Sequence, residues 1–168
     1  MADVKSLNDL FHLELRRIYD AEQRLVKALP AMVKAASSTE LRQALQAHFE
    51  ETEAHVDRVE QVFGFIGEKP KTDTCEAIKG LVKDAEDMMA VDVEGDLKDA
   101  GLIAAAQEVE HFEIAAYGTL RTWAVTMNNT EAMHVLEWTL EEEKNADKLL
   151  TQVASRLNLR AAQTPANG

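Results

Sequence analysis

Two acidic segments of this chain resemble each other and carry residue types that bind metal ions. Glu51 is followed by His55, and in the last third of the chain Glu143 is followed by Asp147. In both segments a carboxylate precedes a second potential ligand by four residues, about one helical turn, so both side chains point to the same side of a helix. Carboxylate and imidazole donors at this spacing indicate a metal site.

Three further acids lie among apolar residues at helical spacing. These are Glu22 in the first helical segment, and Glu110 with Glu113 in a later one. A carboxylate turned toward an apolar core is costly unless a positive charge neutralises it. We therefore predict that acids from four helices converge on two metal ions, and the hard oxygen donors favour Fe or Mn. Such a pair of ions can hold peroxide or dioxygen and exchange two electrons.

The helices that must position these acids are long. Apolar residues recur at three- and four-residue steps, which predicts amphipathic helices, and Pro30 should kink the first of them or separate its last turns. A shorter amphipathic helix is predicted over 75–91. The long helices are predicted from Ser6 or Asn8 to Ala36, from Glu40 to Phe65, from Asp96 to Met127, and from Thr130 to Leu157.

Four long helices with one long central connection predict an all-α four-helix bundle. The connection over 67–95 can carry the chain back along the bundle, so the second and third long helices should run parallel. Glu22 and Glu51 then fall near the middle of the first hairpin, and an acid of the third long helix and Glu143 near the middle of the second. The pattern predicts two half-sites related by a pseudo-twofold axis.

The other acids of the two segments have a simpler interpretation. Glu50, Glu53, Glu141 and Glu142 fall away from the centres of the apolar faces. Acids in such positions usually form surface ion pairs, and Arg58 is one of the arginines available to them. We therefore expect these four residues to be solvated or paired, without a role as metal ligands.

Composition restricts the classes of function. The 168 residues include 18 basic and 30 acidic side chains, and the formal net charge of -12 argues against partners such as nucleic acid or an anionic membrane. No apolar run is long enough to span a bilayer, and the N-terminus lacks a signal-peptide pattern. Cys75 is the only cysteine, which fits a reducing, cytoplasmic location. We expect one domain over 1–160 and a flexible tail over 161–168.

The segments 48–52, 104–120 and 139–144 resemble those of the YciE/YciF family of bacterial stress proteins, a family of the ferritin-like superfamily. The similarity extends from about Leu7 to Leu157. It implies a ferritin-like four-helix bundle with a short extra helix in the connection between helices two and three. It also implies a dinuclear metal site, a homodimer and a stress-associated role.

The ligand spacing departs from the superfamily pattern. Ferritin-like centres usually carry a Glu on two helices and Glu-x-x-His on the other two, whereas here Ala54 and Ala146 occupy the positions three residues after the acids. The set of metal ligands therefore stays open. We rank Glu22, Glu51, Glu110 and Glu143 first and His55, Glu113 and Asp147 second, with His48 as the alternative to His55.

Two functions of different classes follow from these residues. The first is a dinuclear Fe or Mn protein that reacts with peroxide or dioxygen. The second is a non-catalytic helical interaction or structural protein whose metal site is vestigial, which the irregular ligand spacing motivates. Iron storage in a cage is a weaker third hypothesis, since nothing in the chain indicates a large shell.

Overall fold

The computed structural model describes residues 4–163, and these form five helices and no strand. The predicted all-α bundle with a short extra helix is therefore confirmed. The last helix continues one turn beyond the predicted Leu157, because no breaker follows it. The helices are α1 (Leu7–Ala35), α2 (Thr39–Phe65), α3 (Glu76–Ala90), α4 (Gly95–Thr126) and α5 (Thr130–Ala161).

Three of the four long helices begin at a polar side chain that caps them. The side chains of Ser6, Ser38 and Asn129 accept hydrogen bonds from backbone N–H groups three residues later, in the first turns of α1, α2 and α5. These bonds satisfy donors that have no partner within the helix. Asn128 has a φ of 58°, so a left-handed residue makes the sharp turn between α4 and α5.

Helix α1 is continuous across Pro30 and ends at Ala35. The expected separation of its last turns is not found. Pro30 lies on the exposed side of the helix, so the turn that lacks its backbone hydrogen bond faces solvent. The buried positions Leu29 and Met32 keep the last turns packed on the core, which outweighs the cost of the proline.

The long helices form two antiparallel hairpins, α1 with α2 and α4 with α5. Helix α2 packs on α5, and α1 packs on α4. At one end of the bundle, Asp99 of α4 accepts hydrogen bonds from the N–H groups of Ser37 and Ser38, at 2.7 and 2.6 Å. The N-terminal ends of α2 and α4 are therefore adjacent, and these two helices run parallel, as the long connection predicted.

Helix α3 lies along the groove between α1 and α4 and is attached near both ends. The N–H of Cys75 donates to Asp20 of α1 at 2.9 Å, and the ammonium of Lys98 in α4 donates to the carbonyl of Met89 at 2.8 Å. A Cβ at Gly101 of α4 would overlap Met88, so this glycine permits the close approach of α3.

No helix within residues 4–163 combines the length and the apolar character that crossing a membrane requires. The predicted flexible tail over 161–168 lies mainly outside the described residues. Its first residue, Ala161, ends α5.

Candidate metal centre

Six titratable side chains from all four long helices meet in the middle of the bundle. Each is at most 5% exposed to solvent. The core residues above and below them fix the rotation of each helix, so the packing itself points these side chains at one another. They are Glu22 of α1, His48 and His55 of α2, Glu110 and Glu113 of α4, and Glu143 of α5.

The two histidines face the centre because they share the buried stripe of α2. His48, Thr52 and His55 recur at steps of four and three residues, and all three are buried. The Thr52 hydroxyl donates to the carbonyl of His48 at 2.7 Å, so the threonine is satisfied within its own helix. The imidazole rings are the ligand-type groups that α2 places at the centre.

The first group of potential ligands contains Glu22, His55 and Glu143, whose donor atoms lie within 4.8 Å of one another. The His55 Nδ1 atom is 2.9 Å from a Glu143 oxygen and 3.7 Å from a Glu22 oxygen. Two carboxylates and one imidazole nitrogen therefore surround a common position. This donor set could hold one metal ion.

The second group contains His48, Glu110, Glu113 and Glu143, again within 4.8 Å. His48 Nε2 lies 3.2 Å from Glu110 Oε1, and His48 Nδ1 lies 3.9 Å from Glu143 Oε2. Glu143 belongs to both groups and offers one oxygen to each. A carboxylate shared in this way is suited to bridging two cations.

Most of these donor atoms have no hydrogen-bond partner. Among residues 4–163, nine of the eleven buried side-chain nitrogen and oxygen atoms without a partner belong to the six central residues. Glu113 and Glu143 have no partner outside the cluster; within it, Glu113 is paired with Glu22, and Glu143 with His55 and Glu110. Unpaired buried acceptors are costly and rare in folded proteins. Because lone pairs converge here from several sides, a cation fits the centre better than a hydrogen-bond donor does.

Burial changes the protonation of the central acids. It raises the pKa of Glu22 to about 7, against the opposing charge of His55. Burial, together with the charge of Glu143, raises the pKa values of Glu110 and Glu113 well above the usual range. The metal-free centre therefore retains protons near neutral pH, and these protons must leave when a cation binds.

His55 and Glu143 form the charged part of the cluster. Burial disfavours protonation of His55, but Glu143 and Glu22 outweigh it and raise the His55 pKa to about 9. Burial lowers the pKa of His48. Burial alone would raise the pKa of Glu143, but its contacts with His55 and His48 lower it instead. Near neutral pH the metal-free centre thus contains a His55–Glu143 ion pair.

Side chains outside the two groups hold the ligands in place. Glu142 accepts hydrogen bonds from Arg58 Nη2 at 3.1 Å and from His55 Nε2 at 2.9 Å, so it makes the predicted ion pair and also orients the imidazole. The hydroxyl of Tyr117 donates to Glu22. The Tyr117 ring stands edge-on to His55, with 6.3 Å between the ring centroids.

Two predicted ligands lie outside both groups. Glu51 is half-buried beside a cavity of about 110 Å³ that also reaches His48 and Glu110. Asp147 lies toward the edge of α5 and accepts a hydrogen bond from the Gln107 amide at 2.9 Å.

The structure brings together the predicted Glu22, His55, Glu110, Glu113 and Glu143, and it adds His48, which the sequence offered only as an alternative. The signal for His48 is the seven-residue step to His55, which spans two helical turns. The groups do not follow the predicted half-sites, because Glu22 and His55 of the first hairpin share Glu143 of the second.

Comparisons with known proteins identify the family. Residues 6–163 match DUF892, described as a domain of unknown function. The chain is 40% identical to Protein YciF of Escherichia coli over 153 residues, covering 90% of this chain and 92% of YciF. The crystal structure of that E. coli stress protein superposes with a TM-score of 0.89, covering 92% of this chain and 98% of YciF.

Two further structures are similar. YcfI of Rhodopseudomonas palustris, provisionally called a structural protein, is 41% identical, with a TM-score of 0.86 over 89% of this chain and 95% of YcfI. A Xanthomonas campestris protein at 17% identity shares the fold alone, with a TM-score of 0.73 over 94% of this chain and 97% of its own. The matched domain, the 40% identity with YciF and the common helical bundle together show that this chain belongs to the DUF892 family.

Proposed function

We propose that this chain is a dinuclear metalloprotein that holds two Fe or Mn ions at the centre of the bundle. The observation that carries the proposal is the convergence of nine unpartnered buried donor atoms in two groups that share Glu143. Carboxylates and imidazoles suit both metals. The ligands are Glu22, His48, His55, Glu110, Glu113 and Glu143, and Glu51 and Asp147 are outer candidates.

The proposed reaction is with peroxide or dioxygen, for which the two ions supply two electrons when bound. The chain itself excludes bulk water, since the six side chains are almost completely buried. Glu142, which accepts a hydrogen bond from Arg58, holds the His55 ring through its Nε2 atom, and this leaves Nδ1 directed at Glu143. Tyr117 fixes Glu22 through its hydroxyl.

The biological setting is proposed from the similarity to YciF. YciF is called a stress protein, and 40% identity over most of both chains supports a stress-associated role here. We further propose a cytoplasmic homodimer without nucleic-acid or membrane partners, in keeping with the net charge of -12. Trp138 is 60% exposed and marks a candidate dimer surface, which sedimentation of the wild type and a Trp138→Ala variant would test.

The experiment that tests the metal proposal is elemental analysis of protein produced with Fe and Mn both supplied. We expect about two ions per chain, in line with the two donor groups. Glu143→Gln should remove most of both ions because it alters the shared ligand. Glu141→Gln is the matched control, since Glu141 lies on the same helix and is exposed, and it should retain the wild-type content.

Peroxide consumption by the loaded protein then tests the reaction. Wild-type metal content in Glu143→Gln, or no bound metal in the wild type, would contradict the proposal. Glu51→Gln and Asp147→Asn test the outer candidates separately. We expect both to retain two ions, since neither side chain joins the buried groups.

A second function is favoured by one specific observation. The His55 Nδ1 atom lies 2.9 Å from a Glu143 oxygen, and the raised pKa of His55, about 9, keeps a positive charge there, so this part of the centre is neutralised without metal. This arrangement fits a helical interaction or structural protein with a vestigial site. It predicts that Glu143→Ala leaves metal content unchanged and alters only stability, an outcome that the same elemental analysis detects.

A further inference from the structure

An apolar cavity of about 110 Å³ lies between α1, α3 and α4 and reaches the metal centre from outside. Its floor is formed by His48 and Glu110, and its rim by the exposed Lys27 and Glu86. The walls are apolar. They are formed by Leu25, Leu29 and Met32 of α1, Val82 and Met89 of α3, and Val109 of α4.

The way in which α3 crosses the groove creates this cavity. The helix is attached near its ends by Cys75 and Lys98, but Ile78 and Ala85 are its only fully buried residues. It therefore covers the groove without filling it. Protein interiors contain few voids larger than a water molecule, and leaving one unfilled sacrifices packing energy.

The floor of the cavity is polar and lacks partners. His48 is 5% exposed, and neither of its ring nitrogens has a hydrogen-bond partner. Its Nε2 atom lies 3.2 Å from Glu110 Oε1, but the pair is not aligned as a hydrogen bond. The cavity thus combines apolar walls with polar atoms at one end, which is how sites for small organic ligands are built.

We propose that this cavity binds a small amphipathic organic molecule, with an apolar body of about four or five carbons and a single hydroxyl head directed at His48 and Glu110. The size follows from comparison with a dry apolar cavity of about 150 Å³, which holds benzene. The inference deepens the proposed function by placing an organic substrate beside the metal centre. Binding of the organic molecule needs only the residues of this chain and no bound metal.

The test is an NMR titration of the isotope-labelled, metal-free full chain with n-butanol. We expect saturable shifts confined to residues that line the cavity. The comparison ligand is 1,4-butanediol, which must bury a second hydroxyl against apolar walls and should bind at least tenfold more weakly. Similar affinities for both alcohols would contradict the proposed orientation of the head group.

Two substitutions fill the cavity from opposite sides. Ala106→Leu extends into it from α4 and Val82→Phe from α3, and each should weaken n-butanol binding at least tenfold. The second variant keeps the test valid if the first does not fold. Ala47→Leu is the control, because Ala47 lines the cavity beside Glu51, which shares His48 and Glu110 with the proposed site but none of its apolar walls, and it should bind like the wild type.

Non-saturating shifts, or unchanged affinity in both filled variants, would overturn the inference. Its failure is distinguishable from failure of the proposed function. A protein that binds two ions but no butanol refutes only the cavity site. A protein that binds butanol in the cavity but takes up no metal supports the cavity site and refutes the proposed metal centre beside it.

Discussion

Two fully buried carboxylates of α4 have opposite surroundings. Asp99, at the end of the bundle, accepts a backbone N–H on each oxygen. Glu113, in the middle, is equally buried, but neither of its oxygens has a partner outside the cluster of central acids. The first carboxylate is a structural element that completes the start of α2. The second is a proposed ligand of the metal centre, and burial alone does not distinguish the two.

The largest expected effect comes from removing the Asp99 carboxylate, whose two oxygens both accept hydrogen bonds. Asp99→Ala removes two charge-assisted hydrogen bonds and should lower the free energy of unfolding by about 3–4 kcal/mol. Glu113→Gln should change it by less than ~1 kcal/mol in metal-free protein, because the raised pKa of Glu113 already keeps that acid protonated. Urea unfolding of both variants measures the difference. Equal losses would show that the central acid also has a structural role.

Metal binding should reverse the order of these two substitutions. Asp99→Asn is expected to leave metal content per folded chain unchanged, since Asp99 is remote from the centre. Glu113→Gln removes a ligand of the second group and should reduce metal affinity at least tenfold. Elemental analysis of the two variants side by side checks this. A loss of metal in the Asp99 variant would contradict a purely structural role for Asp99.

The next effect concerns pH. The pKa of His55 rises from 6.5 to about 9 in the fold. Between these values the folded chain holds a proton on His55 that the unfolded chain has lost, so the stability contributed by His55 is fully present below pH 6.5 and is lost as pH rises to 9. The loss from this residue should be about 3 kcal/mol in metal-free protein. His55→Gln should flatten this part of the curve, which urea unfolding at several pH values measures.

Metal-bound protein should show the opposite trend. Cations compete with the protons held by the centre, so binding tightens as pH rises, and stability in excess Mn²⁺ should increase over the same range. A fall with pH in both forms would contradict a metal site that contains His55.

The smallest expected effect compares two tyrosine hydroxyls. Tyr117 donates to the buried Glu22, and Tyr19 donates to Glu60 at 2.5 Å near the surface. Tyr117→Phe should cost about 1 kcal/mol and raise the Glu22 pKa further, since that hydrogen bond lowers it. Tyr19→Phe is the matched control and should cost less than ~0.5 kcal/mol, because solvent can replace its bond. Equal losses in the free energy of unfolding for the two variants, measured with urea, would contradict the expected difference between the two hydroxyls.

The fold could be predicted from sequence because its signals are local. Apolar periodicity and capping residues such as Ser38 and Asn129 place the helix starts within about two residues of those in the structure. The end of α5 was predicted too early because its last turn carries no apolar stripe. The separation of the last turns expected at Pro30 was wrong, since the effect of this residue depends on which side of α1 meets solvent, and that is decided by tertiary packing.

The site was only partly predictable. Glu22, Glu110 and Glu143 could be found because each interrupts an apolar stripe. The similarity between the Glu51 and Glu143 segments does not extend to their orientation, since one position along a helix corresponds to about 100° of rotation. Thr52, next to Glu51, faces the centre instead. The seven-residue step from His48 to His55 is the sequence signal for this orientation, and the packing of α2 against its neighbours fixes it.

The contact between Asp99 and the Ser37–Ser38 corner also bears on the rate of unfolding. It joins residues 61 and 62 positions apart, and it can form only after the chain has passed along the whole bundle and returned. Closing so long a loop costs conformational entropy before the contact contributes any favourable free energy. We therefore expect the contact to form after the rate-limiting step of folding. Its loss should leave the folding rate nearly unchanged and shorten the lifetime of the native state.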